Sequence, residues 1–193
     1  MVQLQALIQE LGDEDVCQFL NDSFSCPPNP DVESFLLNKD KGIRFENTSI
    51  SRTYLIIDDD TGDILAYFSI SFKEITLDTS NISKSLIKRL DGINKRAETL
   101  KVYLIGQIGK NFSVKNNPIK LDFILNEVYN VIAQAQALVG GRVIILECEN
   151  QPKLIELYER HGFKLIETIN GTDSLLTMYT SIRPLAKVKT TSI

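Results

Sequence analysis

Between Val102 and Cys148 the chain carries a short apolar run, a polar loop, a long amphipathic stretch and a second apolar run, an order that few folds accept. Val102-Tyr103-Leu104-Ile105-Gly106-Gln107-Ile108 and Arg142-Val143-Ile144-Ile145-Leu146-Glu147-Cys148 have the length and branching of buried strands. Between them Phe123, Ile124, Leu125, Val128, Val131, Ile132 and Leu138 recur at helical spacing, and Gly140-Gly141 ends the helix. Antiparallel neighbours need only a tight turn, whereas parallel neighbours need a crossover, usually a helix. The two runs are therefore expected to be adjacent parallel strands with the helix on one face. The loop from Lys110 to Lys120 then opens onto a helix N-terminus, where free amides and the helix dipole favour an anion.

The flanking segments read as follows. Val2, Leu4, Leu7, Ile8 and Leu11 predict a short amphipathic helix ended by Gly12, with a second around Val16 to Leu20. Ser25-Cys26-Pro27-Pro28-Asn29-Pro30 breaks regular structure, and Asp31 is expected to cap a helix bearing Val32, Phe35, Leu36 and Leu37. Thr53 to Ile57 and Ile64 to Ile70 predict an antiparallel hairpin around the acidic turn Asp58 to Asp63, whose carboxylates are not spaced to converge on one cation. Asn81 to Lys101 reads as a helical insertion with a basic face. Pro152 to Arg160 predicts a helix stopped at Gly162, with strands from Phe163 and over Leu175 to Tyr179 joined by an Asn170-Gly171 turn. The expectation is one domain over 1–183 and a flexible tail over 184–193.

Composition narrows the function. With 43% hydrophobic residues in 193, the chain can bury a sizeable core. No apolar run approaches the roughly 20 residues that span a bilayer, and the start lacks a basic segment before an apolar one, so a cytoplasmic protein is expected. Three cysteines without CxxC spacing and the single His161 supply no zinc set, so no metal is expected. A net charge of −4 argues against generalised nucleic-acid binding. Lys84, Lys88, Arg89, Lys95 and Arg96 nonetheless form a local basic surface, either a solvated face or an RNA contact.

The segment Asn150-Gln151-Pro152-Lys153-Leu154-Ile155-Glu156-Leu157-Tyr158-Glu159-Arg160-His161-Gly162-Phe163 resembles the late motif of GNAT N-acetyltransferases, an Asn before a helix ending in Tyr-Glu-x-x-Gly-Phe. Tyr103 to Gly109 resembles the strand that these enzymes lay beside pantetheine. Phe24, Cys26 and Asn29 before Asp31-Val32-Glu33-Ser34-Phe35-Leu36, and then Thr53-Tyr54, are similar to a subgroup allied to toxin-type acetyltransferases. The resemblance runs from about Phe24 to Tyr179. It implies an α/β acyl-CoA N-acyltransferase fold, a mixed central sheet flanked by helices, and acetyl transfer from acetyl-CoA to a primary amine. The acceptor is a small molecule or a macromolecule, an aminoacyl-tRNA being one option, and a homodimer is compatible with it.

The same resemblance implies site residues. Ile108, Gly109 and Lys110 offer backbone groups to pantetheine, while Asn116, Asn117, Ile119, Lys120 and Leu121 meet the pyrophosphate. Tyr158 protonates the departing thiolate, a role open to a hydroxyl of pKa about 10. Asn150 either holds the cosubstrate chain or caps the helix before Pro152. Glu147 and Glu149 share one side of their strand and serve as a base only if that side faces the cleft. His161 is expected in solvent. The family's phosphate loop is glycine-rich, but Val114 to Asp122 contains no glycine, Pro118 lacks an amide, and Asp122 opposes an anion. A catalytically silent GNAT-like binding or regulatory module is therefore the alternative reading.

Overall fold

A computed structural model describes residues 1–169 and 175–182. The expected Asn170-Gly171 turn and the tail from Pro184 lie outside the described residues. In chain order the elements are β1 (Val2–Gln3), α1 (Leu4–Leu11), α2 (Asp13–Ser23), α3 (Pro30–Leu37), α4 (Gly42–Asn47), β2 (Arg52–Ile57), β3 (Ile64–Thr76), α5 (Lys84–Asp91), β4 (Thr99–Lys110), α6 (Leu121–Val139), β5 (Val143–Glu149), α7 (Pro152–Arg160), β6 (Lys164–Leu165) and β7 (Leu175–Ser181). The strands form one mixed sheet in the order β1-β2-β3-β4-β5-β7-β6. The two strands of the expected crossover, β4 and β5, are neighbours joined through α6. The chain divides into two compact units, Met1–Lys73 with Leu104–Val128, and Glu74–Tyr103 with Tyr129–Ile193.

In the first unit, β1, β2 and β3 are antiparallel, with Val2 opposite Leu55 and Thr53 opposite Ser69. Val2 therefore belongs to an edge strand, and only the residues from Leu4 onward form the expected helix, closed at Gly12 with φ 87°. One face of this sheet region packs on α1 to α4 through a buried cluster containing Leu4, Ile8, Leu20, Leu36, Ile43, Leu55 and Tyr67. The cap of α3 is Asn29, whose side chain accepts from the Val32 amide at 3.2 Å, and not Asp31. Pro30 occupies the first turn, where its missing amide costs nothing. α4 is six residues long, too short to show a periodicity in the sequence. At the hairpin tip, Asp58 accepts from the amides of Asp60 and Thr61, so this carboxylate builds the turn.

Asn111, fully buried just after β4, ties this unit together. Its side-chain amide donates to the carbonyls of Ser23 (2.7 Å) and Ile64 (2.6 Å), and its Oδ1 accepts from the amides of Ser25 (3.0 Å) and Ser113 (2.9 Å). One side chain thus joins the end of α2, the start of β3 and the loop after β4. Glu46 is the other buried polar anchor. It accepts from the Thr53 amide and pairs with Arg52 at 2.9 Å. Burial pushes its carboxyl up from the ordinary range, against the opposing pull of the Thr53 amide and Arg52.

In the second unit, β7 pairs antiparallel with β5 over seven residues and with β6 over two. The expected helical insertion over 81–101 is corrected: only α5 is helical. Ser83 caps it, Gly92 ends it in the left-handed region, and Asp91 then accepts from the amides of Ile93 and Asn94. Lys95 and Arg96 lie in the turn that follows, and Lys101 is already in β4.

Asn111→Ala should cost about 3 kcal/mol in chemical denaturation, because it strands two buried carbonyls and two amides at once. Glu46 provides a pH test. A carboxyl whose folded pKa is raised contributes stability below its unfolded pKa and loses it as pH rises through the folded one. The wild type should therefore lose stability as pH rises through that range, and Glu46→Gln should lack this slope when unfolding is followed from about pH 4 to about pH 8.

Candidate active site

β4 carries the first part of the site. A Cβ on Gly106 would lie 3.0 Å from Ser69 Oγ, and one on Gly109 would lie 2.5 Å from Tyr67 Cε1 and 2.7 Å from Val32 Cγ1. Ser69 and Tyr67 stand two residues apart on the same face of β3, yet the glycines that meet them are three apart. One extra residue is therefore inserted in β4 between them, which is a β-bulge. A bulge leaves backbone groups outside the ladder. Gly109 is glycine because Tyr67, whose hydroxyl donates to the Val32 carbonyl, leaves no room for a side chain. Ile108 and Lys110 are half-buried on either side of it.

The loop after β4 replaces glycine with asparagine. Asn116 adopts φ 58°, in the left-handed region that asparagine tolerates best among side-chain-bearing residues. Asn117 latches the loop: its Nδ2 donates to the carbonyls of Leu65 (2.7 Å) and Asn111 (2.8 Å), and its Oδ1 accepts from the Ile119 amide (3.0 Å). Lys110 Nζ donates to the carbonyls of Asn117 (2.9 Å) and Ile119 (2.8 Å). The side chain of Asn117 and the amides of Asn117 and Ile119 are thus engaged within the loop. The amides of Lys120 and Leu121, at the start of α6, have no acceptor among the described residues. Lys115 and Lys120 are exposed beside them, and Asp122 stands in the first turn of the helix. The loop's capacity for an anion therefore rests on two amides and two ammonium groups, opposed by one carboxylate.

The second part lies on α7, whose end explains the Tyr-Glu-x-x-Gly-Phe spacing. The Phe163 amide donates to the Tyr158 carbonyl (3.1 Å), the Gly162 amide donates to the Glu159 carbonyl (2.9 Å), and Gly162 has φ 87°. This is a Schellman stop, and its accompanying apolar contact is the edge-on packing of Tyr158 on Phe163, with ring centroids 5.9 Å apart. The motif fixes where the tyrosine ring points. Its hydroxyl has no hydrogen-bond partner among the described residues, and burial, with a smaller contribution from nearby Cys148, pushes its pKa up to about 12. It keeps its proton throughout the physiological range and is available there as a donor.

The other candidates are placed as follows. Asn150 is exposed, and the residue preceding α7 at the cap position is Gln151, which makes no capping bond and donates to Glu149 instead. The capping alternative for Asn150 is therefore overturned, because the chain enters α7 one residue later. Glu147 and Glu149 flank Cys148 in β5, so they project from the opposite face to Cys148 and Tyr158, towards the side of Thr177 and Leu175. His161 is half-buried and not fully in solvent; its Nδ1 lies 2.7 Å from the Leu157 carbonyl at the helix end. On α5, Ile87 and Leu90 are buried while Lys84, Lys88 and Arg89 are exposed, and Lys95 and Arg96 are exposed after it. Among the described residues no group of three or more His, Cys, Asp or Glu side chains is arranged to hold a metal ion. No described helix is long and apolar enough to cross a membrane. Sequence reasoning missed Asn111, Glu46 and the bulge; only the Gly-x-x-Gly spacing of Gly106 and Gly109 signalled the last.

No protein-family model and no curated protein matches the chain. Solved structures do. AtaT complexed with acetyl-methionyl-tRNAfMet superposes with a TM-score of 0.60 at 18% identity, covering 82% of this chain and 85% of that one. A tyrosine-to-phenylalanine mutant of KacT gives 0.59 at 21% identity, covering 82% and 85%. A tyrosine-to-phenylalanine mutant of the AtaT toxin, bound to acetyl-CoA and the C-terminus of the antitoxin AtaR, gives 0.57 at 14% identity, covering 82% and 83%. With its mixed sheet and the α6 crossover between neighbouring strands, the chain has the GNAT fold, as seen in the AtaT and KacT structures.

Proposed function

We propose that the chain is an acyl-CoA-dependent N-acetyltransferase that moves an acetyl group from acetyl-CoA directly to a primary amine. The observation that carries this reading is Tyr158: a protonated hydroxyl without a partner among the described residues, oriented by its own helix stop. The amine nitrogen attacks the thioester carbonyl, the C–N bond forms and the C–S bond breaks. Tyr158 donates a hydrogen bond and then its proton to the departing sulfur and is reprotonated from solvent, while the proton shed by the amine leaves by a separate route. A thiol of pKa about 8.5 holds its proton less tightly than this tyrosine, so the hydrogen bond to the thiolate carries most of the effect.

In unit one, the bulged backbone around Ile108, Gly109 and Lys110 holds pantetheine as an added strand holds its neighbour. The amides of Lys120 and Leu121 with the ammonium groups of Lys115 and Lys120 meet the pyrophosphate, while Asn116, Asn117 and Ile119 shape the loop. Asn150 contributes its exposed amide to the cosubstrate chain. The fold likeness and the acetyl-CoA held by an AtaT structure support this assignment. For the acceptor, an aminoacyl-tRNA amine fits the exposed cations of α5 and the turn after it, and the complex of AtaT with acetyl-methionyl-tRNAfMet supports that choice. The engaged amides of the glycine-free loop favour a second reading, a silent binding module.

Two measurements separate these readings. Acetyl-CoA at about 100 times its Kd should raise unfolding stability by roughly 2.7 kcal/mol. Tyr158→Phe keeps the ring contact and the helix stop, so it should preserve that shift and the fold while lowering acetyl transfer about 100-fold. No shift at millimolar acetyl-CoA, or full activity in Tyr158→Phe, sinks the mechanism. Replacing Lys84, Lys88, Arg89, Lys95 and Arg96 together should abolish acetylation of aminoacyl-tRNA and spare small amines; unchanged tRNA acetylation would remove the RNA contact.

A further inference from the structure

Direct transfer needs a destination for the proton that the acceptor amine sheds, and Glu147 and Glu149 face away from Tyr158. Among the described residues the one acidic side chain in the buried interior is Glu46. Its two oxygens take one donor each, from the Thr53 amide and from Arg52, which leaves acceptor capacity on both. Beside it are two anomalies. Ser51 Oγ and Thr53 Oγ1 are buried without a hydrogen-bond partner among the described residues, although buried hydroxyls nearly always have one. Apolar residues of the same shape would be no less stable there, so the hydroxyls call for a further explanation.

The polar line continues from Thr53. Thr53 stands directly opposite Ser69 on the face that α1 to α4 cover, and Ser69 Oγ lies beneath Gly106 of β4. Two residues further along β2 and β3 on that face, Leu55 and Tyr67 are fully buried in the apolar cluster. A strip of Glu46, Thr53, Ser69 and Gly106 thus crosses an otherwise apolar layer from a buried carboxylate to an exposed stretch of backbone. Any side chain on Gly106 would press on Ser69 Oγ and close that end. Gly106 lies two residues before Ile108, roughly 7 Å along the strand.

We infer that Glu46 is the proton acceptor of the reaction, reached from Gly106 through the hydroxyl of Ser69 and an ordered water held by Thr53 Oγ1 and Ser51 Oγ. This rests on the acetyltransferase reading. The proton leaving the amine nitrogen goes to Ser69 Oγ, which passes its own proton to the water; the water passes one to Glu46, which becomes a neutral acid and later returns it to solvent. No charge is left unbalanced, and no group other than water is required. Thr53 acts as a positioning residue, since it touches the water and not the amine. The raised pKa of Glu46 suits an acceptor better than an ordinary carboxylate would.

The experiment uses the full chain, acetyl-CoA, a mixture of aminoacyl-tRNAs and detection of released CoA thiol. Thr53→Val should lower kcat at least about tenfold and leave KM for acetyl-CoA unchanged. Its thermal midpoint should be little changed, because valine keeps the shape of the threonine side chain. Thr53→Ser should restore kcat, and Glu46→Gln should reproduce the loss. Full kcat in Thr53→Val overturns the inference, and so does a loss that tracks falling stability and is not rescued by serine. A wild-type chain whose unfolding does not shift with acetyl-CoA would instead remove the acetyltransferase reading and this inference with it.

Discussion

The arrangement of the first unit depends on one side chain. Asn111 satisfies four backbone groups that would otherwise be buried and unpaired, and these belong to three segments far apart in sequence. Because its own carbonyl accepts from Asn117, the same residue holds the loop that leads into α6. A loop can do without glycine if something other than backbone freedom decides its path. Here that something is a set of amide side chains and Lys110, each bonded to carbonyls. The departure from a glycine-rich phosphate loop is thus a different way of building the turn, with fewer free amides left at its end.

Tyr158 and Phe163 illustrate how a motif can be written by a helix stop and at the same time set out a candidate for chemistry. The glycine at 162 takes the left-handed conformation that ends α7, the amide that follows folds back on the tyrosine carbonyl, and the two rings pack as a consequence. The spacing in the sequence is the spacing of a helix stop. What turns the stop into a candidate catalytic element is the far end of the tyrosine ring, whose hydroxyl no described side chain claims.

Much of the fold was legible because it rests on local rules. The crossover from β4 through α6 to β5, the start of α7 at Pro152 and its end before Gly162 follow from periodicity, proline geometry and glycine's access to positive φ. Asn29, and not Asp31, caps α3 because the proline beside it sets where the helix begins. The basic stretch after Gly92 looked helical by composition, but Asp91 draws the next two amides into a turn. The parts of the site that stayed hidden depend on residues distant in sequence. Nothing local distinguishes Asn111 from any loop asparagine or Glu46 from any surface glutamate, and the bulge in β4 is set by Tyr67 and Ser69 of another strand.

The stop at the end of α7 also bears on how steady the tyrosine is. Helix ends are where a fold opens first, since their last carbonyls lack partners and the residues there exchange with solvent at little cost. In this chain the carbonyl of Tyr158 itself receives the returning amides of His161 and Phe163, and Phe163, almost wholly buried, anchors the far side. Fraying would have to pull an aromatic ring out of the interior before it could disturb the hydroxyl. The residue placed nearest to a natural point of weakness is therefore tied down by two returning amides and a buried ring.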